Sequence, residues 1–147
     1  PSWSLVSGYR MSHLDTNKPH AIEACTGAAM VVSRKAINQV GLLDEAFFMY
    51  AEDIDWCYRF VQADWQVWFD PRVRVILHKH KSGLGGKQVP WETKERTTAA
   101  FYDTMKQFFR KHYSHKYPRL VMLGVFAMID TLKKRKLFLE RKKYAHN

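Results

Sequence analysis

Hydrophobic and polar positions near the start of the chain predict one strand and one short helix. Residues 1–24 have no clear period and predict an irregular lead-in. The apolar, partly β-branched run that begins at Ala28 predicts a short buried strand. Ser33 is then placed to cap a helix over Arg34–Val40, which stops at Gly41.

A second helix is predicted from Glu52 to about Ala63. Three acidic residues stand in its first turn, where the exposed amides of a helix N-terminus favour negative charge. Apolar residues recur at i, i+3, i+4 and i+7 and predict a stripe that faces the core: Ile54, Cys57, Tyr58 and Val61. Arg59 follows Asp55 by four residues, and this spacing predicts an ion pair on one helix face.

The second half of the chain predicts two strands, a loop and two helices. The segments Trp65–Phe69 and Arg72–His78 have strand patterns, and Lys79–Pro90 has the Gly and Lys content of a mobile basic loop. Helices are predicted from Trp91 to about His112 and over roughly Leu120–Lys143. The expected fold class is α/β, a small mixed sheet with helices against it, followed by two C-terminal helices.

Composition places the positive charge of the chain in one segment. The 147 residues are 46% hydrophobic and carry a formal charge of +10, which suits one domain with a real core and an anionic partner. Residues 1–103 hold twelve basic and twelve acidic side chains, whereas residues 104–147 hold twelve basic side chains against Asp130 and Glu140. A nucleic-acid binder spreads its charge over the folded face that meets phosphates, so a nucleic-acid partner is disfavoured.

The predicted C-terminal helix is apolar at first and strongly basic afterwards. This pattern suits a helix that lies on an anionic membrane surface, and it equally suits a helix that packs on the body and exposes a charged end. The longest apolar run, Leu120–Ile129, has ten residues, about half of the roughly 20 that a spanning helix needs. Two cysteines without a metal-binding spacing favour a reduced, cytoplasmic setting.

The most informative stretch is Thr26–His78. It contains, in order, a Thr-Gly-Ala turn, a strand, an Arg-bearing helix that ends in Gly, an Asp-Glu pair, paired aromatic residues, a Glu-Asp-x-Asp helix start and a Pro-containing strand pair. This order resembles the C-terminal half of the catalytic domain in GT-A type glycosyltransferases of family 2, particularly the rhamnosyltransferase-like and galactofuranosyltransferase-like members. The resemblance implies a partial GT-A-like fold.

The resemblance also implies roles for individual residues. Asp53 would be the catalytic base that deprotonates the acceptor hydroxyl during inverting transfer, and Glu52 and Asp55 would shape its charge. The alternative is that all three acids only stabilise a helix start. The implied substrate-binding residues, each of which also suits an ordinary turn or core position, are Gly27, Trp56 and Trp65.

A divalent metal, Mg²⁺ or Mn²⁺, is implied by the same resemblance, with most of its ligands outside this chain. His78 is the candidate ligand, but the register of its strand leaves His80 or an ordinary surface histidine open. His112 and His115 fall in the sequence FFRKHYSHK and are expected at a solvated basic helix end.

The resulting expectation is the acceptor-side portion of a glycosyltransferase that moves a sugar from a nucleotide-sugar donor to a glycan or lipid-linked acceptor. The expected parts are an irregular lead-in (1–24), half of a catalytic domain (25–113) and a basic amphipathic helix (114–147). Because 24 residues cannot form a nucleotide-binding half, we expect a longer protein and no transfer by this chain alone. The expected location is the cytoplasm, peripheral at the inner face of a bacterial membrane. The alternative is a non-catalytic module that attaches to an anionic membrane or polymer.

Overall fold

The computed structural model describes residues 15–76 and 90–144. This described part is mixed α/β, with a two-stranded sheet and four helices. In chain order the elements are β1 (His20–Ile22), α1 (Arg34–Val40), α2 (Glu52–Gln62), β2 (Val67–Phe69), α3 (Trp91–Tyr113) and α4 (Arg119–Tyr144).

The sheet consists of β1 and β2, which pair antiparallel with His20 opposite Phe69 and Ile22 opposite Val67. Strand β2 confirms part of the predicted strand at Trp65–Phe69. Strand β1 lies inside the segment that was predicted to be an irregular lead-in. The sequence pattern did not reveal this strand because three residues are too few to show a period. The mixed sheet that was predicted is wrong for the described residues, whose single strand pair is antiparallel.

Two predicted strands do not form in the described part of the chain. The residues after Ala28 have no ladder partner, and the side chain of Val31 is fully exposed. The described part of the second segment is also irregular up to Ile76, which is 84% exposed. An alternating segment forms a strand only beside a neighbour, and in the described part of the chain neither segment pairs with β1 or β2. His78, His80 and residues 79–89 of the predicted basic loop lie outside the described residues.

Helix α1 has the predicted bounds. Gly41 ends it with a φ of 91°, a left-handed value that favours glycine, and its N–H donates to the carbonyl of Ile37 over 2.7 Å. Ser33 stands at the predicted cap position, but its hydroxyl makes no capping hydrogen bond. Instead its carbonyl accepts the N–H of Ile37 at 3.0 Å, so the backbone alone begins the helix.

Helix α2 confirms the predicted segment but buries a different set of side chains. Ile54 and Val61, both predicted to face the core, are 46% and 42% exposed. Cys57 is buried as predicted and Tyr58 is half-buried, while Asp55 and Phe60, which were not predicted to face the core, are buried as well. The prediction was wrong for Ile54 and Val61. Helix α2 is covered on two sides, by the segment before α1 and by α3, and these two residues lie on the narrow strip that stays exposed.

Helices α3 and α4 form an antiparallel hairpin. Lys106 pairs with Asp130 at 2.6 Å and Lys133 pairs with Asp103 at 2.8 Å, which sets the register between the two helices. Met122 and Ile129 are buried on the inner side of α4, while α3 buries Thr97, Thr98 and Thr104. The bounds of both helices confirm the prediction. No helix in the described part of the chain has the length and apolar character needed to cross a bilayer.

Candidate functional site

The acidic start of α2 follows an unusual backbone turn. Tyr50 and Ala51 both have left-handed φ values, 69° and 64°. Non-glycine residues pay roughly 1–2 kcal/mol each for this conformation, and such strain is concentrated at functional sites. The turn directs the chain abruptly into the first turn of α2, which presents the acids of the predicted site.

Asp53 is held by backbone amides on both carboxylate oxygens. Oδ2 accepts the N–H of Gly27 over 2.8 Å, and Oδ1 accepts the N–H of Ile54 over 2.8 Å. The side chain is only partly buried, and no cation of the described residues forms an ion pair with it. Asp53 is thus an oriented, accessible carboxylate.

Gly27 contacts Asp53 through its backbone N–H, and the space around it does not require a glycine. A Cβ added to Gly27 would lie 3.5 Å from Cβ of Asp53, an ordinary van der Waals distance. The structure therefore brings together the predicted substrate-binding residue Gly27 and the predicted base. The part that glycine plays there is to supply an N–H donor, which most other residues also carry.

Asp55 has the opposite environment. Its side chain is fully buried and accepts hydrogen bonds from Nε2 of His112 (2.6 Å), Nε of Arg59 (2.8 Å) and Nζ of Lys111, which is 2.7 Å away. Burial alone raises the pKa of this carboxyl, but the bonds from Lys111, His112 and Arg59 outweigh it and hold the pKa below its usual range. The predicted ion pair between Arg59 and Asp55 is confirmed. Asp55 acts as the anchor that attaches α2 to α3.

The anchor extends to the loop between α1 and α2. Lys111 also binds Asp44 at 2.6 Å, and Arg59 donates to the carbonyls of Val40 (3.0 Å) and Leu42 (2.7 Å). The pKa of Asp44 is lowered, first by the hydrogen bond from Lys111 and then by the N–H of Ala46. These bonds tie α1, its following loop, α2 and α3 into one unit behind the acidic helix start.

His112 is the site residue that the sequence reasoning missed. It was expected at a solvated helix end, which is wrong, since its side chain is 11% exposed and its ring packs 4.4 Å from that of Tyr58. The sequence does contain a signal for this position. Phe108, Lys111 and His112 are spaced i, i+3 and i+4 and therefore share one face of α3. That face is the one that meets α2.

Glu52 lies beside Asp53 and has an unusual oxygen. Its Oε2 atom is buried and has no hydrogen-bond donor among residues 15–76 and 90–144. Burial and the nearby charge of Glu52 raise the pKa of Tyr50 above its usual value. A carboxylate oxygen that is removed from water without a donor is costly, and no donor of the described residues offsets this cost.

The two predicted sugar-binding tryptophans are bound to α1. Nε1 of Trp56 donates to the carbonyl of Gly41 (2.9 Å), and Nε1 of Trp65 donates to Oε1 of Gln39 (2.9 Å). Both side chains are half-buried, and the ring of Trp56 packs 5.0 Å from that of Phe60. Their polar atoms are engaged in the fold, and a contact with substrate stays a prediction.

Two thiols lie directly behind Asp53. Sγ of Cys25 is 3.9 Å from Sγ of Cys57, and Cys57 is fully buried one helical turn after Asp53. Burial, the neighbouring thiol and the charge of Asp53 raise the pKa of Cys25 to about 11. Cys25 is therefore protonated at neutral pH, and the two thiols serve as apolar packing beneath the Gly27 to Asp53 contact.

The described residues do not form a metal centre. Within residues 15–76 and 90–144, no three His, Cys, Asp or Glu side chains converge in a group that could hold a metal ion. The candidate ligand His78 is outside that part. The residues present thus do not fit the implied Mg²⁺ or Mn²⁺ ion by themselves.

Comparison with known proteins gives partial matches. Over 79 residues, 53% of this chain, it is 35% identical to the N-acetylglucosaminyl-diphospho-decaprenol L-rhamnosyltransferases of two strains of Mycobacterium tuberculosis. Over 38 residues, 26% of the chain, it is 42% identical to a low-salt glycan biosynthesis hexosyltransferase of Haloferax volcanii. These matches support a relationship to glycosyltransferases.

The same comparisons limit what this relationship covers. The aligned stretch spans 25% of each mycobacterial relative and 12% of the Haloferax protein. No protein-family model and no solved structure matches the chain. The relationship therefore concerns a part of a glycosyltransferase.

Proposed function

We propose that this chain is the acceptor-side portion of an inverting, family 2, GT-A type glycosyltransferase. In this proposal, Asp53 is the base for sugar transfer from a nucleotide-sugar donor to a glycan or lipid-linked acceptor. The observation that carries the proposal is the contrast between Asp53 and Asp55. A general base must be able to reach the proton that it removes, and only Asp53 is both oriented and accessible.

The chemistry requires one carboxylate at the acceptor. A carboxylate oxygen of Asp53 accepts the proton of the acceptor hydroxyl while the hydroxyl oxygen bonds to the anomeric carbon of the donor. The bond from that carbon to the diphosphate oxygen breaks, and the nucleoside diphosphate leaves with the electron pair. Attack opposite the leaving group inverts the anomeric configuration.

Neighbouring residues support this role without taking part in the proton transfer. The amides of Gly27 and Ile54 fix the Asp53 carboxylate, since two donors on its two oxygens leave one rotamer. Glu52 stands next to Asp53 in the first turn of α2 and adds negative charge beside the base. Asp55, with its three donors, keeps the helix start in place.

The names of the relatives favour a lipid-linked or glycan acceptor. The mycobacterial relatives are named for transfer to a lipid diphosphate-linked sugar, and the Haloferax relative for glycan biosynthesis. We infer an acceptor of the same kind and a location at the cytoplasmic face of a membrane. The proposal includes a nucleotide-binding half outside this chain and a divalent metal, Mg²⁺ or Mn²⁺, whose ligands lie outside the described residues.

The test is transfer by a protein that joins this chain to a nucleotide-binding half. We expect transfer from at least one nucleotide sugar to a lipid-linked or glycan acceptor, with inversion, and no transfer by the chain alone. Absence of both transfer and donor hydrolysis over a panel of nucleotide sugars would overturn the proposal. That result would favour the alternative, a non-catalytic module that attaches to an anionic membrane or polymer.

A further inference from the structure

The outer face of α4, on the side away from α3, changes character along its length. We define this outer face by six residues that lie opposite the buried Ile129 at helical spacing: Leu120, Leu123, Lys134, Arg135, Phe138 and Arg141. Its first half is apolar, with Leu120 83% and Leu123 66% exposed. Its second half surrounds the 69% exposed Phe138 with basic side chains.

The acidic side chains of α4 are turned away from the outer face. Asp130 is bound by Lys106 of α3, and Glu140 accepts from Thr98 of α3 (3.1 Å) and pairs with Lys136 at 3.2 Å. By contrast, Lys134, Arg135 and Arg141 form no ion pair with the described part of the chain. The outer face therefore presents apolar surface and an excess of positive charge, and the half-exposed Asp130 offsets only part of the charge of Lys134.

We propose that the outer face of α4 binds the surface of a bilayer that contains anionic lipid. A helix that lies in the interface buries leucine and phenylalanine at the boundary of the acyl chains and places lysine and arginine among the headgroups. The six residues of the outer face have this composition. The sequence left open which part of the helix is free, and the structure assigns Met122 and Ile129 to the packing against α3.

A second copy of the chain is a poor occupant of the same face. In a parallel two-fold pair, the basic half around Phe138 would lie against the same basic half of the partner. In an antiparallel pair, it would lie against the apolar half that holds Leu120 and Leu123. A two-fold interface must be complementary to itself, and neither arrangement is. An anionic lipid surface satisfies both halves.

The orientation connects this surface with the candidate site. Lys106 pairs with Asp130 and Arg110 lies over Phe126, so the C-terminal end of α3 is beside the apolar first half of α4. That end of α3 supplies Lys111 and His112 to Asp55. Insertion of Leu120 and Leu123 would thus hold α3, and the end of it that binds Asp55, on the side of α4 away from the bilayer. The link to a lipid-linked acceptor rests on the proposed function, but membrane binding does not.

The test is flotation of this chain with two kinds of vesicle, phosphatidylcholine alone and phosphatidylcholine with about one-third phosphatidylglycerol. Each basic side chain near an anionic surface strengthens binding about fivefold. We expect the pair Lys134→Gln and Arg135→Gln to weaken binding to anionic vesicles by about 25-fold. The matched pair Arg34→Gln and Lys35→Gln, on the exposed side of α1, removes the same charge and should change binding less than about twofold.

The apolar half has its own variant and control. Leu123→Ser with Phe138→Ser should weaken binding by at least about tenfold, while Val31→Ser with Ile76→Ser, which alters two other exposed apolar residues, should not. The proposal would be overturned if the chain bound both vesicle types equally or bound neither. It would also be overturned if a variant pair and its control pair lost the same amount of vesicle binding. A dimer in solution that Leu123→Ser converts to a monomer would overturn it as well. None of these outcomes depends on sugar transfer.

Discussion

Nε2 of His112 lies 2.6 Å from Oδ1 of Asp55, although 57 residues separate them along the chain. This contact joins the acidic helix α2 to the end of α3. Together with Lys111 and Arg59, it supplies a donor or cation on every side of a carboxylate that is fully removed from solvent. The accessible carboxylate of Asp53, two residues earlier, depends on this anchor for its position.

We predict that Asp55→Asn destabilises the fold far more than Asp53→Asn does. Replacing Asp55 removes the fully buried charge that Arg59, Lys111 and His112 share, and we expect a loss of about 3 kcal/mol in the free energy of unfolding. Asp53 accepts only backbone donors at a partly exposed position, and its variant should lose less than about 1 kcal/mol. Urea denaturation followed by circular dichroism measures both. Equal stability of the two variants would contradict the assignment of Asp55 as the anchor.

Acid should remove the contribution of Asp55. Its pKa in the folded state is lowered from the ordinary 3.8, because the bonds from Lys111, His112 and Arg59 outweigh the effect of burial. A carboxyl whose folded pKa is lower stabilises the fold above its unfolded pKa, and this stability is lost as the pH falls through the folded value. The stability gap between the wild type and Asp55→Asn should be constant above about pH 5 and should narrow below about pH 4. Urea midpoints across this range test the prediction, and a gap that stays constant to about pH 3 would contradict it.

The strained turn before α2 gives a prediction of opposite sign. Ala51 has a φ of 64°, which glycine adopts without a steric penalty, so Ala51→Gly should raise the free energy of unfolding by about 1 kcal/mol. Ala63 caps the other end of α2 with a φ of −100°, and Ala63→Gly should not stabilise. The two urea midpoints are compared with that of the wild type. A stabilising effect at Ala63, or none at Ala51, would argue against strain at this turn.

The thiol of Cys25 should react slowly. A pKa of about 11, raised by burial, by Cys57 and by Asp53, leaves little thiolate at pH 8, compared with a thiol at the ordinary value of 9.0. Iodoacetamide should therefore label the Cys25 peptide on the order of 100-fold more slowly in the folded chain than in urea. Peptide mass spectrometry gives both rates. Labelling at the same rate in the two states would show that the Cys25 and Cys57 pair is not packed as described.

Local sequence signals predicted the elements that depend on local physics. The apolar period gave α3 and α4, and Gly41 gave the end of α1, because each signal lies within the element that it describes. The strand β1 could not be predicted, since three residues form a strand only beside β2. The burial of Asp55 could not be predicted either, because it also depends on partners that are distant in the sequence. Its counter-charges include Lys111 and His112, which are distant in the sequence, and a lone acid at a helix start is normally solvated.

The candidate site divides in a similar way. The order of motifs in the sequence pointed to Asp53, and the structure adds that the amide of Gly27 orients it. The same motif grouped Asp55 with Asp53 because both stand in the first turn of α2. Two residues along a helix turn a side chain through about 200°, so these acids face different surroundings. Only the packed structure shows that Asp55 faces α3.

If Asp53 is the base for sugar transfer, the kcat of the enzyme depends on its carboxylate, and the variant Asp53→Asn measures that dependence. The assay uses a protein that joins this chain to a nucleotide-binding half, with Glu52→Gln as the neighbouring carboxylate control. We predict that Asp53→Asn lowers kcat by about a thousandfold, leaves the KM for the donor within about threefold and unfolds at the wild-type urea concentration, whereas Glu52→Gln retains at least a tenth of the activity. A kcat for Asp53→Asn within about tenfold of the wild type would contradict the account.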